Sequence, residues 1–212
     1  MDLKETKTKE LLTLQQLFNT GIHLGHRTSY WNAKMAPYIF GIRNDLHIIN
    51  IEKSLYLIRR GMQLILQVLE QKGTILIVGN SESNQHFIHT LGEKYEIPYV
   101  SGKWVGGILS NWENNSSKGK IQDKILHFTK GLRFMNKTPS LVILLNSHNN
   151  WDAISEINKL NIPILGIVDT DSNLTNIAYP IPGNDDSVPV QYFYSSMIEH
   201  TILASIKNKM KS

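Results

Sequence analysis

The sequence predicts an α/β fold on a parallel sheet, and three observations carry that prediction. Continuous apolar runs of strand length recur at 74–79, 140–146 and 163–169, the pattern of strands buried on both faces. Between and after them lie segments whose apolar residues return every three or four positions, the spacing of a helix with one covered face. Glycine, proline, serine or asparagine stands at most of the boundaries. Strands alternating with helices call for parallel pairing through crossover connections.

The elements follow in order. Leu11, Leu12, Leu14, Leu17 and Phe18 predict a short amphipathic helix closed near Gly21. Residues 23 to 45 are polar, aromatic and glycine-marked, without clear period, and read as an irregular surface segment. Leu46 opens a strand-like run to Ile51. From Glu52 to Lys72 apolar residues fall at 55, 58, 62, 65, 66 and 69, a helix that Gly73 ends. After the strand at 74–79, Ser81 can cap a helix to about Tyr95, and Ile97–Val100 is a short strand. A basic helix is expected from about Lys118 to Met135. The strand at 140–146, a helix from Asn150 to Leu160, the strand at 163–169 and a helix from Val188 to Lys209 complete the chain.

Composition narrows the function classes. The chain has 212 residues, 41% hydrophobic and 19% charged, which excludes wholesale disorder. Without cysteine there is no disulfide scaffold, thiol catalysis or zinc ribbon. No apolar run approaches the length of a membrane span, so no membrane partner is expected. The net charge of +4 conceals segregation. Residues 116–138 hold six cations against Asp123 alone, whereas residues 152–186 hold six acids and Lys159.

Enzyme chemistry finds little footing. There is no G-x-G-x-x-G and no complete phosphate loop; the stretch Gly131 to Thr138 has Asn136 where a glycine belongs and precedes a strand where it should follow one. Neither His23-x-x-His26 nor His86-x-x-His89 has the glutamate of a zinc-protease helix. Asp169, Asp171, Asp185 and Asp186 could join a histidine around a cation, but as loop residues they read first as caps and Asx-turns. No serine sits in a nucleophile elbow. The expectation is therefore no enzyme, no cofactor, no metal and no small-molecule substrate, the rival being a nucleotide enzyme with its ligand at the strand ends by Gly79 and Asp169.

Two segments point elsewhere. His23, His26, Arg27, Trp31, Asn32 and Lys34 interleave cations, flat rings and an amide, the mixture that phosphates, unpaired bases and base edges require. The mixture recurs at Lys103, Trp104, Gly106, Gly107, Asn111 and Trp112, where paired glycines would let backbone approach a partner. Core anchoring of Trp31, Trp104 and Trp112 is the competing reading.

The strings GIHLGHRTSYWNAKMAPYIFGIRNDLHIINIEKS from Gly21, KWVGGILSNW from Lys103, IPILGIVDTDSN from Ile162 and YPIPGNDD ending at Asp186 resemble the ribosomal protein S2 family of bacterial and organellar small subunits. The resemblance spans residue 11 to about 205. It implies a flavodoxin-like or Rossmann-like α/β core without enzymatic activity, with a helical hairpin inserted after the W-x-G-G-x-L-[ST]-N string. It implies binding to small-subunit rRNA between head and body, beside neighbouring small-subunit proteins. The contact candidates it implies are the residues of the two segments above together with Arg43 and Asn44, while Trp104 and Trp112 are expected to be partly structural. Lys118, Lys124 and Lys130 are expected to form a second, peripheral contact.

Departures from the family pattern are informative. Lys103 replaces an arginine, exchanging a bidentate fork for a point charge. Ala33 and Ala36 replace a proline and a lysine, Asn80-Ser81-Glu82 replaces a basic string, and Asn173-Leu174 departs from the usual ending. Only 26 residues separate Trp112 from Pro139, too few for the full hairpin. The organisation expected is a core of 1–115 and 139–212 with a shortened insertion at 116–138. With 26 Ile, 19 Asn and 17 Lys against 5 Ala and 5 Arg, and an N-terminal decamer unlike a secretory or transit peptide, a mitochondrial ribosome is expected, with plastid and bacterial ribosomes as the alternatives.

Overall fold

The computed structural model describes residues 12–112, 130–148 and 150–209. Its centre is a five-stranded sheet in which all neighbours pair in parallel. These strands are β4 (Ile75–Gly79), β5 (Tyr99–Ser101), β6 (Leu141–Leu144), β7 (Ile164–Val168) and β8 (Tyr179–Pro182), in the order β5-β4-β6-β7-β8. Counted along the sheet strands this is 2-1-3-4-5, the flavodoxin-like winding. The expected fold class is present.

Alternation along the strands builds two cores. Ile75, Ile77, Ile143, Leu165 and Ile167 face one side, where they meet α1 (Leu14–Thr20), α2 (Ile51–Glu70), α3 (Glu82–Tyr95) and α5 (Val188–Lys209). Leu76, Val78, Val142, Leu144 and Val168 face the other, covered by α4 (Trp151–Lys159) and by the loop residues Met35, Trp104, Ile108 and Leu109. Each fully buried aliphatic side chain contributes about 1.5–3 kcal/mol of transfer free energy. The two segments singled out by composition thus share one layer of the molecule.

Helix starts follow the sequence chemistry. Thr13 and Gln16 form a reciprocal capping box at α1, and Gly21 ends it in the left-handed region at φ 83°. Asn50 Oδ1 accepts from the Glu52 and Lys53 amides at 3.1 Å, and Ser81 Oγ accepts from the Asn84 amide at 3.3 Å. Because Asn50 caps α2, the run from Leu46 stops as a strand at Ile49.

Three expectations need correction. Residues 23 to 45 are not irregular throughout. They hold β1 (Leu24–Arg27) and β2 (Ile39–Arg43), which flank β3 (Leu46–Ile49) in a small antiparallel sheet, with 3-10 turns at Thr28–Tyr30 and Ala33–Tyr38. Register irregularities between Leu24 and Arg27 and between Ile39 and Gly41 interrupt the period-two pattern. Second, β8 was not expected, since Tyr-Pro-Ile-Pro carries two prolines. It is tolerated because β8 is an edge strand with no ladder on its outer side. Third, Lys130–Phe134 is a 3-10 turn, not the end of a long helix. A Cβ on Gly131 would stand 2.3 Å from the Tyr99 ring, and Leu132 and Met135 are buried in the α4-side core. This part of the expected insertion packs as core, and the Lys118 and Lys124 positions lie outside the described residues.

Candidate nucleic-acid interface

Both candidate segments come to the carboxyl edge of the parallel sheet. The 103–112 loop leaves the end of β5. The 23–35 segment is drawn to the turn that follows β7. There the His26 amide donates to Thr170 Oγ1 at 2.9 Å, and the Asn32 amide donates to the Thr170 carbonyl at 2.8 Å. The approach is close enough that a Cβ on Gly25 would stand 2.5 Å from Thr170 Cγ2, so glycine is what lets β1 lie there.

The 103–112 loop is organised by a residue that sequence reasoning missed. Glu156, on α4 and only 9% exposed, accepts five hydrogen bonds from it. Trp104 Nε1–H and the Gly107 amide donate to Oε2, both at 2.9 Å. The Leu109 and Ser110 amides donate to Oε1 at 2.9 Å, and the Ser110 hydroxyl donates to the same atom at 2.7 Å. Burial works to raise the carboxyl's pKa, but these donors outweigh it and hold Glu156 below its ordinary value. The signal that could have found it is an acid beside Ala153, Ile154 and Ile157 on the buried stripe of a short helix.

This arrangement sorts the candidates. Arg27, Lys34, Arg43, Asn44, Lys103, Gly106, Asn111 and Lys130 are exposed. Trp31 is 41% exposed and rests near the buried His47 ring, with centroids 5.0 Å apart. Lys34 Nζ donates to Asn173 Oδ1 at 3.2 Å and to Thr175 Oγ1, which ties it back to the loop after β7. Asn44 and Asp45 take positive φ, 50° and 61°, as the tight turn between β2 and β3 requires.

Other candidates turn inward. Trp104 is buried with its indole N–H spent on Glu156, so it anchors the loop, and Trp112 is half-buried against the same core. Gly107 serves the loop's own closure: φ is 86°, and a Cβ would stand 2.7 Å from Asn111 Nδ2. Asn32 Oδ1 caps the following 3-10 turn through the Lys34 amide. His23 is half-buried and stacks on Phe18 at 4.4 Å, and burial lowers its pKa.

His26 also faces the interior. Nδ1 lies 3.3 Å from Asp169 Oδ1 and Nε2 3.0 Å from Asp186 Oδ2. The pairing with Asp169 raises its pKa most, burial opposes, and the charges of Asp169, Asp171 and Asp186 assist, pushing it up to about 9. Burial raises Asp171 and, more strongly, Asp185, where the neighbouring carboxylates add to it.

The strand ends give the rival enzyme reading no support. At the switch point between β4 and β6, Asn146 Nδ2 donates to Asn80 Oδ1 at 2.6 Å, so side chains bridge the crevice where a nucleotide would enter. The described residues contain no helix long and apolar enough to cross a membrane.

With this geometry in view, comparison with known proteins decides the family. The family model for ribosomal protein S2 matches residues 17–126 and 115–205. The chain belongs to the ribosomal protein S2 family. It is 34% identical to small ribosomal subunit protein uS2 of Ehrlichia ruminantium (strain Gardel) over 224 residues, 93% of this chain and 78% of the relative. Against the uS2 of Ehrlichia canis the identity is 34%, covering 93% of this chain and 77% of the relative. For that of Rickettsia prowazekii it is 33% over 228 residues, with 94% and 77% covered. Membership places the chain among ribosomal proteins, which are structural components and not enzymes.

Proposed function

We propose that this chain is a structural constituent of a small ribosomal subunit, binding its rRNA through the carboxyl edge of the sheet and supporting translation. Arg27, Lys34, Arg43 and Lys103 supply positive charge for phosphates, Trp31 offers a partly exposed ring for a base, and Asn44 and Asn111 offer amides. The observation that carries the reading is that the two loops bearing these groups are tied by buried polar residues, Glu156 and Thr170, to one layer of the fold. Loops held in this way meet RNA without first being ordered, which lowers the entropic cost of binding. Lys130 lies at the start of the basic segment and, with Lys118 and Lys124, supplies a peripheral contact to rRNA or to a neighbouring small-subunit protein.

The compartment proposed is a mitochondrial ribosome, supported by the low Ala and Arg content and the short span between Trp112 and Pro139; the relatives named above are bacterial. Sedimentation of the tagged chain from its native extract, with sequencing of co-sedimenting RNA, tests both statements. Comigration with small-subunit rRNA is expected, and the RNA sequence identifies the compartment. Recovery only in light fractions free of rRNA would overturn the reading.

A further inference from the structure

Behind the proposed RNA face, three chain segments bring six donors together. His26 comes from β1, His148 follows β6, Asp169 and Asp171 follow β7, and Asp185 and Asp186 follow β8. The ion-pair partners of these acids among the described residues are the two imidazoles, so four carboxylates face two histidines. Asp171 Oδ2 lies between the rings, 3.1 Å from His148 Nδ1 and 3.9 Å from His26 Nε2. Asp186 Oδ2 stands 3.0 Å from the same His26 Nε2.

Independent of the clustering, the buried acids are incompletely satisfied. Asp169 is wholly buried and Asp185 is 3% exposed, yet Asp169 Oδ2 and Asp185 Oδ2 each have no hydrogen-bond partner among the described residues. The buried Tyr194 hydroxyl beside them and Asp171 Oδ1 share that condition. Buried carboxylate oxygens left without a donor are costly, and such a group calls for an explanation by something bound.

We infer that this cluster is a divalent-cation site, with His26 Nε2, Asp171 Oδ2 and Asp186 Oδ2 as ligands and His148 Nδ1 completing the shell. Two donors each about 2.1 Å from one ion stand roughly 3.0 Å apart at a right angle and roughly 3.4 Å apart at the tetrahedral angle. The observed separations of 3.0, 3.1 and 3.9 Å bracket those values. Among the described residues no three such side chains yet close around a single point, so binding draws in the 3.9 Å gap. The Asp186 and His148 side chains, 73% and 52% exposed, have room to follow. Asp169 behind Nδ1 orients the ring, the carboxylate–imidazole support usual for a metal-bound histidine. Mixed imidazole and carboxylate donors favour Zn²⁺ or Mn²⁺ over Mg²⁺. Sequence spacing hides the site because its donors lie on separate loops. The ion fastens the 23–35 segment to the ends of β7 and β8, and the inference does not depend on the ribosomal reading.

The test uses the full chain, stripped with chelator and then exposed to ZnCl₂, MnCl₂ or MgCl₂. After gel filtration about one Zn²⁺ per chain is expected by elemental analysis. The Tm should rise by roughly 5–10 °C at Zn²⁺ concentrations near 100 times the dissociation constant. Asp171→Asn should lose retained metal and most of the Tm rise, while Glu199→Gln on the far part of α5 behaves as the parent. Retention well below one ion with no Tm shift would overturn the inference, as would full retention by Asp171→Asn. Visible absorption of the parent chain with one equivalent of Co²⁺ gives a reading independent of variant folding, and the absence of ligand-field bands would also overturn it.

Discussion

Replacing Glu156 by alanine should release the 103–112 loop. The carboxylate's five donors differ in what they lose. Trp104 Nε1–H and the Leu109 amide bond Glu156 in buried contacts, so the substitution leaves them without an acceptor at about 1–3 kcal/mol each. The Gly107 and Ser110 amides and the Ser110 hydroxyl are partly exposed and turn to water. The sum is about 3–5 kcal/mol, which for a chain of this size lowers Tm by roughly 10 °C. Glu156→Gln is the sharper probe: one amide oxygen still serves one pair of donors, but its NH₂ then faces the other pair, so about half the loss is expected. Thermal unfolding with hydrogen exchange at Gly107, Leu109 and Ser110 reads both effects. A loss under 1 kcal/mol, with those amides still protected in Glu156→Ala, would refute the assignment of Glu156 as the loop's anchor. The pH dependence has a fixed sign. Because the folded-state pKa is depressed, the stabilisation is complete above the ordinary carboxyl pKa of about 4.3 and fades as pH falls through the folded value. Glu156→Gln should lack that acidic loss.

Three further outcomes follow from the same geometry. Arg27→Glu with Lys103→Glu should abolish incorporation into the subunit while shifting Tm by no more than a few degrees, because both side chains are exposed; normal incorporation of the folded double variant would remove them from the interface. Neutralising Lys118, Lys124 and Lys130 together as glutamines should weaken incorporation only modestly, read by the fraction of chain in the small-subunit peak; an unchanged fraction would assign that segment to solvent. Gly25→Ala should cost about 1–3 kcal/mol, since the new Cβ would meet Thr170 Cγ2 at 2.5 Å and the His47 carbonyl oxygen at 3.1 Å. Chemical denaturation would check it, and an unchanged midpoint would contradict the close approach of β1 to the β7 turn.

Much of the molecule was legible before any coordinate. The runs at 74–79, 140–146 and 163–169 could only be doubly covered strands, and the caps Asn50 and Ser81 act through atoms within three residues of themselves. Local chemistry of this kind is written in order along the chain. The small antiparallel sheet and β8 were not legible, because irregular register and two prolines disguise strands whose existence depends on a neighbour.

The candidate interface divides along the same line. Composition alone marked the segments at 23–35 and 103–112 and the family strings they carry, because a mixture of cations, rings and amides is a property of residue types. Which of those residues face outward was decided by tertiary structure: Trp104 is claimed by Glu156 across 52 positions, and His26 by Asp169 and Asp186 from the far end of the chain. Partners that distant leave no periodicity or spacing to read. The sequence by itself therefore determined the fold class and the family; only the folded chain decided which polar side chains are spent on holding the loops and which remain exposed for RNA.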